Sequence, residues 1–138
     1  MQETKNSESC FIKYQTEIEE DLKIDRFNLE ECQLKLPGIK GKWIARLMSH
    51  KAEVLKLNKL LDEAIKKIAD NIIEKSPVNM TTVSAKHAAE GHELVTKIRN
   101  EIEDTKIVVE YLEKMEKVFS AKSFDLKNLL DIIKQETS

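Results

Sequence analysis

Apolar residues fall at helical spacing along most of the chain. Phe11, Tyr14, Ile18 and Leu22 step by three, four and four, which lines one face of a short helix over about residues 9–22. Residues 1–8 are polar and are expected to be flexible. In "KIDRFNLEECQLKLPG", Asp25 is placed to cap a second short helix that carries Phe27, Leu29 and Leu34 toward a core. Pro37 and Gly38 then interrupt the pattern. Proline suits a first helical turn, so the spacing predicts a new helix from Pro37.

That helix runs from 37 to about 75. Trp43, Leu47, Val54, Leu61, Ile65, Ile68 and Ile72 step by 4, 7, 7, 4, 3 and 4, a core-facing stripe. "EKSPVNMTT" ends it, because the residue before Pro77 is biased away from helical geometry. A second long helix follows over about 81–120. Its seam is Val95, Ile98, Ile102, Thr105, Val109, Leu112, Glu116 and Phe119, in steps of three and four. Ser123 opens a last amphipathic helix with Leu126, Leu129, Leu130 and Ile133 on one side. The expected fold is all-α and a single helical domain over 1–138. It has short N-terminal helices (9–36), a long antiparallel helical hairpin (37–120) and a C-terminal assembly helix (121–138).

Composition agrees: aromatics are 5% and there are 3 Gly and 2 Pro, too few turn-formers for a many-stranded sheet. Apolar residues remain off the stripes, at Ile44, Met48, Leu55, Leu60, Leu94, Val108 and Met115. That surplus points to oligomerisation through the ends of the chain, with a monomeric four- or five-helix bundle as the alternative.

The net charge of −2 hides a partition. Residues 1–36 carry a net −4, residues 37–75 a net +4 and residues 76–138 a net −2. A positive middle between negative flanks is a local field of the kind that draws polyanions. Lys56, Lys59, Lys66 and Lys67 fall near one side of the first long helix, with Glu63 and Asp70 between them. Two readings stand. Lys59–Glu63 and Lys66–Asp70 are i,i+4 pairs of a solvated face, or the lysines are an anion-binding site. The acidic run "EIEED" (17–21) likewise reads as a partner site or as a solvated helix end.

Little else carries chemistry. Three glycines supply neither a Walker loop nor a dinucleotide fingerprint. His87 and His92 sit ~140° apart around a helix and cannot share one metal ion. No cofactor or metal is expected, and no enzyme: no carboxylate stands in the apolar setting that raises its pKa. Cys10 and Cys32 read as reduced thiols of a cytosolic protein. No apolar run approaches the ~18–20 residues of a membrane span, and the N-terminus lacks the pattern of a signal peptide.

Four stretches, taken in order, resemble the UvsY family, the recombination mediator proteins of T-even-like phages. They are "LKIDRFNLEE" (22–31), the Lys42–Trp43 pair in "LPGIKGKWI", "IVVEYLEKM" (107–115) and "AKSFDLKNLLD" (121–131). In the last, Phe124, Lys127 and Asn128 fit the family's signature, Lys122 stands near its arginine and Ser123 replaces its glycine. The resemblance implies a non-enzymatic protein of the host-cell cytoplasm. It binds single-stranded DNA, the phage recombinase and the single-strand-binding protein, and helps the recombinase load where the binding protein blocks it. It also implies ring-shaped homo-oligomers held largely by C-terminal helices, which places Phe124, Leu126, Leu129, Leu130 and Ile133 between copies. The family's DNA contacts include a basic pair late in the first long helix. Counted from Trp43, the first falls on Lys66 and the second on Ile68, with Lys67 beside it. In a ring of ~6 copies with about two phosphate contacts each, the salt slope for a single strand approaches ~−8. Trp43 and Tyr111 lie in apolar stripes, so binding is expected to be blind to sequence. The alternative is a helical oligomeric adaptor or scaffold with no nucleic-acid role.

Overall fold

The computed structural model describes residues 2–137, with side chains from 9 to 137. The described residues form four helices: α1 (Gln2–Asp21), α2 (Leu29–Lys75), α3 (Thr82–Ala89) and α4 (Glu93–Thr137). The fold is all-α, with α2 and α4 as the antiparallel pair. The chain divides into a unit of Met1–Ser49 with Val108–Ser138 and a unit of His50–Ile107. The expected flexibility of residues 1–8 falls on Met1 and on side chains outside the described residues; the backbone from Gln2 belongs to α1.

In the first unit, α1, the start of α2 and the end of α4 close around Ile18, Leu29, Leu36, Trp43, Leu47, Val108, Leu112, Phe119 and Leu126. Each such large side chain contributes about 1.5–3 kcal/mol on burial. The hairpin stripes are therefore the core, as the spacing predicts. Val108 and Met115, read as surplus, belong to this core too, whereas Glu116 in the predicted seam is exposed.

Two predicted breaks are absent. α2 starts at Leu29 and passes through Pro37. Leu29, Cys32, Leu36, Ile39, Trp43 and Leu47 form one stripe past it. A proline inside a helix costs about 3 kcal/mol. Burial of Leu29 and Leu36 on its N-terminal side offsets that. The second short helix is thus the first turns of α2. Phe27, expected in the core, is 95% exposed, and Leu34 is exposed as well. Phe27 lies in the α1–α2 turn, where Asp25 Oδ1 accepts from its N–H at 3.0 Å. Asp25 closes that turn and caps no separate helix.

At the other end, α4 runs straight through Ser123. Val108, Leu112, Met115, Phe119, Lys122, Leu126 and Leu130 step by three and four without a gap once Lys122 is counted. Lys122 is buried, and its Nζ donates to the carbonyls of Asp21 at 3.1 Å and Lys23 at 3.4 Å. Its stem fills the stripe while its ammonium caps the C-terminus of α1. Desolvation holds its pKa below the ordinary lysine value.

In the second unit, Ala64, Ile98 and Ile102 pack with Val54, Leu57 and Leu61. A second cluster joins Ala69, Ala85 and Ala89 to Ile65, Ile68, Ile72 and Ile73. The helix predicted over 81–120 is two helices. Thr81 caps α3 by accepting from Ser84 N–H at 3.2 Å. The small Ala85 and Ala89 let α3 lie close against Ala69. His92 then caps α4: its Nδ1 accepts from Leu94 N–H and its carbonyl from Thr96 N–H, both at 3.1 Å.

Candidate nucleic-acid interface

The second unit fixes which side of α2 meets water. Leu57, Leu61, Ala64, Ile65 and Ile68 turn toward α3 and α4. At 100° per residue, Lys56, Lys59, Lys66 and Lys67 then share an arc of ~100° on the opposite side. All four are exposed. Glu63 and Asp70 are exposed within the same arc.

Neither expected pair on this face forms. Lys59–Glu63 and Lys66–Asp70 are both outside ion-pair distance among the described residues. Both put the lysine before the acid, and the acid-first Glu63–Lys67 is open as well. Helical side chains lean toward the N-terminus, so an acid preceding its lysine is the better arrangement. Acid-first pairs do close elsewhere within helices: Glu31–Lys35 at 2.8 Å, Glu110–Lys114 at 3.4 Å and Glu103–Lys106 at 3.7 Å. In Lys59–Glu63 and Lys66–Asp70 the lysine comes first. The face therefore presents uncommitted ammonium groups to solvent, the donors that phosphate oxygens accept from.

A second basic group lies in the first unit, where sequence reasoning did not look for one. Lys42 Nζ donates to Asp21 at 2.7 Å and to Glu17 at 3.0 Å, and Arg46 pairs with Glu17. Trp43 Nε1 donates to Asp21 at 2.8 Å. The Arg46 guanidinium lies 4.7 Å over the Trp43 ring and 5.2 Å over Tyr14. These are cation–π distances. The bond from Arg46, and after it that from Lys42, holds Glu17 below the usual carboxylate range. Desolvation of Lys42 is outweighed by its bonds to Asp21 and Glu17, so its pKa is raised. The "EIEED" run is thus neither a free partner site nor a solvated end at Glu17 and Asp21; it clamps α1 to α2. The signal was in the sequence: Glu17 and Asp21 share a face with Ile18 and Tyr14, as Lys42 and Arg46 do with Trp43.

The residues expected between copies separate into two groups. Phe124, Leu129 and Ile133 are exposed, and so is Ile132, which the stripe reading left out. Leu126 is 0% exposed within its own chain and Leu130 packs beside it. The unbroken α4 stripe carries both onto the core side. His87 is exposed while His92 is a helix cap, and no group of metal ligands occurs among the described residues. Cys10 and Cys32 are free and half-buried. No helix among the described residues is long and apolar enough to cross a membrane.

A family model described as recombination, repair and ssDNA binding protein UvsY matches residues 17–137. Among solved structures, the fold is similar to crystal structures of the bacteriophage T4 recombination mediator protein UvsY. One lattice form gives a TM-score of 0.75 at 18% identity, over 90% of this chain and 96% of that one. A second gives 0.73 at 18% identity, over 91% and 96%. A third gives 0.72 at 19% identity, over 88% and 97%. Among curated protein sequences none matches significantly.

Proposed function

The chain belongs to the UvsY family of recombination, repair and ssDNA-binding proteins, and from that membership we propose that it is a recombination mediator acting on single-stranded DNA. It binds the strand without sequence preference as a ring-shaped homo-oligomer. In that form it promotes loading of the phage recombinase where single-strand-binding protein would otherwise hold the DNA.

The observation that carries this reading is the open lysine face of α2. Four exposed ammonium groups lie on one side of a helix, and the carboxylates between them leave them unpaired. One such face is a feeble site, because exposed charges are screened over about 8–10 Å. Identical faces repeated around a ring meet one polyphosphate thread together, and avidity multiplies weak contacts. Neither Trp43 nor Tyr111 offers a stacking face: Trp43 is buried and Tyr111 is half-buried edge-on against Phe11. Affinity then comes from backbone charge and falls steeply with salt. The exposed Phe124, Leu129 and Ile133 support contact between copies through the end of α4.

Fluorescence anisotropy with labelled oligo-dT over a salt series tests the DNA face. Lys66→Ala with Lys67→Ala is expected to weaken binding and flatten the salt dependence while the oligomer persists. Unchanged affinity removes the assignment. Assembly is tested by light scattering on Phe124→Ser with Ile133→Ser, two exposed sites whose change spares the core. A drop to smaller species is expected, and an unchanged mass excludes that interface.

A further inference from the structure

We propose that Glu63 tempers the grip of the lysine face, setting an affinity low enough for the strand to be passed on. The inference rests on the DNA-binding reading of that face and assigns a residue to its regulation. Glu63 follows Lys59 by four positions and precedes Lys66 by three and Lys67 by four. It is thus within one turn of three of the four lysines, where Cβ atoms stand about 5–6 Å apart. Its carboxylate is exposed and outside ion-pair distance of all three. Asp70 has only two such neighbours, Lys66 and Lys67.

The electrostatics follow from position. A phosphate that reaches Lys59, Lys66 and Lys67 together must lie over Glu63. The carboxylate repels it and competes for the same ammonium groups. Because Glu63 is tied to none of them in the free protein, nothing about folding requires a charge there. A residue that weakens binding without serving stability suits a protein whose strand must be handed to a recombinase. A permanently tight grip would block that exchange.

The test is Glu63→Gln against labelled oligo-dT by anisotropy and stopped-flow dissociation, on the full chain. Two unit charges about 6 Å apart in water give an expected two- to threefold gain in affinity per occupied face at low salt. The gain appears as slower release and fades toward none at high salt. Glu63→Asp, which keeps the charge, is expected to bind like the parent. The gain is also expected to vanish when Lys59, Lys66 and Lys67 are all alanine, since the coupling then has no partner. If Glu63→Gln binds no more tightly while Lys66→Ala with Lys67→Ala weakens binding, tempering is overturned and the DNA face stands. If neither change alters binding, the face itself is wrong and tempering falls with it.

Discussion

Lys42 and Arg46 in the first unit and Lys59, Lys66 and Lys67 in the second are the same kinds of side chain on the same helix, each with carboxylates near. They end in opposite states. Lys42 is held by Asp21 at 2.7 Å and by Glu17 at 3.0 Å, and Arg46 by Glu17, all across from α1. On the second unit's face the neighbouring carboxylates come from α2 itself, and no pair closes. A carboxylate from another helix is positioned by the packing of that helix, here through Ile18. A carboxylate on the same helix must be reached by bending two long side chains together, at a cost in rotamer entropy that solvent does not return. Basic residues answered across helices are therefore structural. Those answered only along one helix stay available to an outside anion.

The largest effect expected from this contrast is on stability. Asp21→Ala removes the acceptor of the buried Trp43 Nε1 as well as one partner of Lys42. An orphaned buried donor costs about 1–3 kcal/mol. Urea denaturation is expected to show that loss, whereas Glu63→Ala is expected to stay within about 0.5 kcal/mol of the parent. Equal losses at the two sites would erase the distinction between clamp and open face.

Next in size is the acid dependence. Glu17 has its pKa lowered, first by Arg46 and then by Lys42. Its folded-state value is below its unfolded value, so its contribution is fully present above the ordinary carboxylate range. That contribution is lost as pH falls through the folded-state pKa. Glu17→Gln is expected to narrow the difference in urea midpoint between about pH 6 and about pH 3. A variant whose midpoint keeps the parent's acid dependence removes Glu17 as a source of it.

DNA binding should read the contrast in reverse. Lys42→Gln and Arg46→Gln are expected to lower stability but leave the slope of log affinity against log salt unchanged. On the open face, removing one ammonium that neutralises a phosphate flattens that slope by about 0.7. Anisotropy over a salt series measures both, and a flatter slope for Arg46→Gln would place the first unit on the DNA path.

The hairpin was legible because Trp43, Leu47, Ile98, Ile102, Leu112 and Phe119 keep strict helical spacing and all are buried. Helix ends were less so. Pro37 and Ser123 are local break signals, and both lie where a continuous apolar stripe overrides them. The α3–α4 turn was hidden for the opposite reason: its cap is His92, which the eye takes for a ligand before a helix start. At the candidate site, the exposed lysine arc could be read from periodicity alone. Whether its pairs close could not be read from i,i+4 spacing: Glu31–Lys35 closes, while Glu63–Lys67, spaced and ordered alike, stays open. Phe27 misled because composition places a phenylalanine inside, while the turn at Asp25 holds it out in water.

The order of acid and lysine gives the smallest effect expected. Exchanging the two residues, Lys59→Glu with Glu63→Lys, leaves net charge, composition and spacing unchanged and puts the acid first. The pair is then arranged like Glu31–Lys35, which closes at 2.8 Å. A closed pair of this kind adds about 0.2–0.5 kcal/mol to a helix. Urea denaturation should show a gain of that size at low salt, fading as salt rises. Binding of oligo-dT should weaken at the same time only if engaging one ammonium within the helix outweighs moving the carboxylate away from Lys66 and Lys67. A variant that gains stability and binds as before would mean that total charge governs the grip. A variant that loses affinity would mean that only uncommitted lysines hold the strand, which is the property that separates this face from the clamp at Lys42 and Arg46.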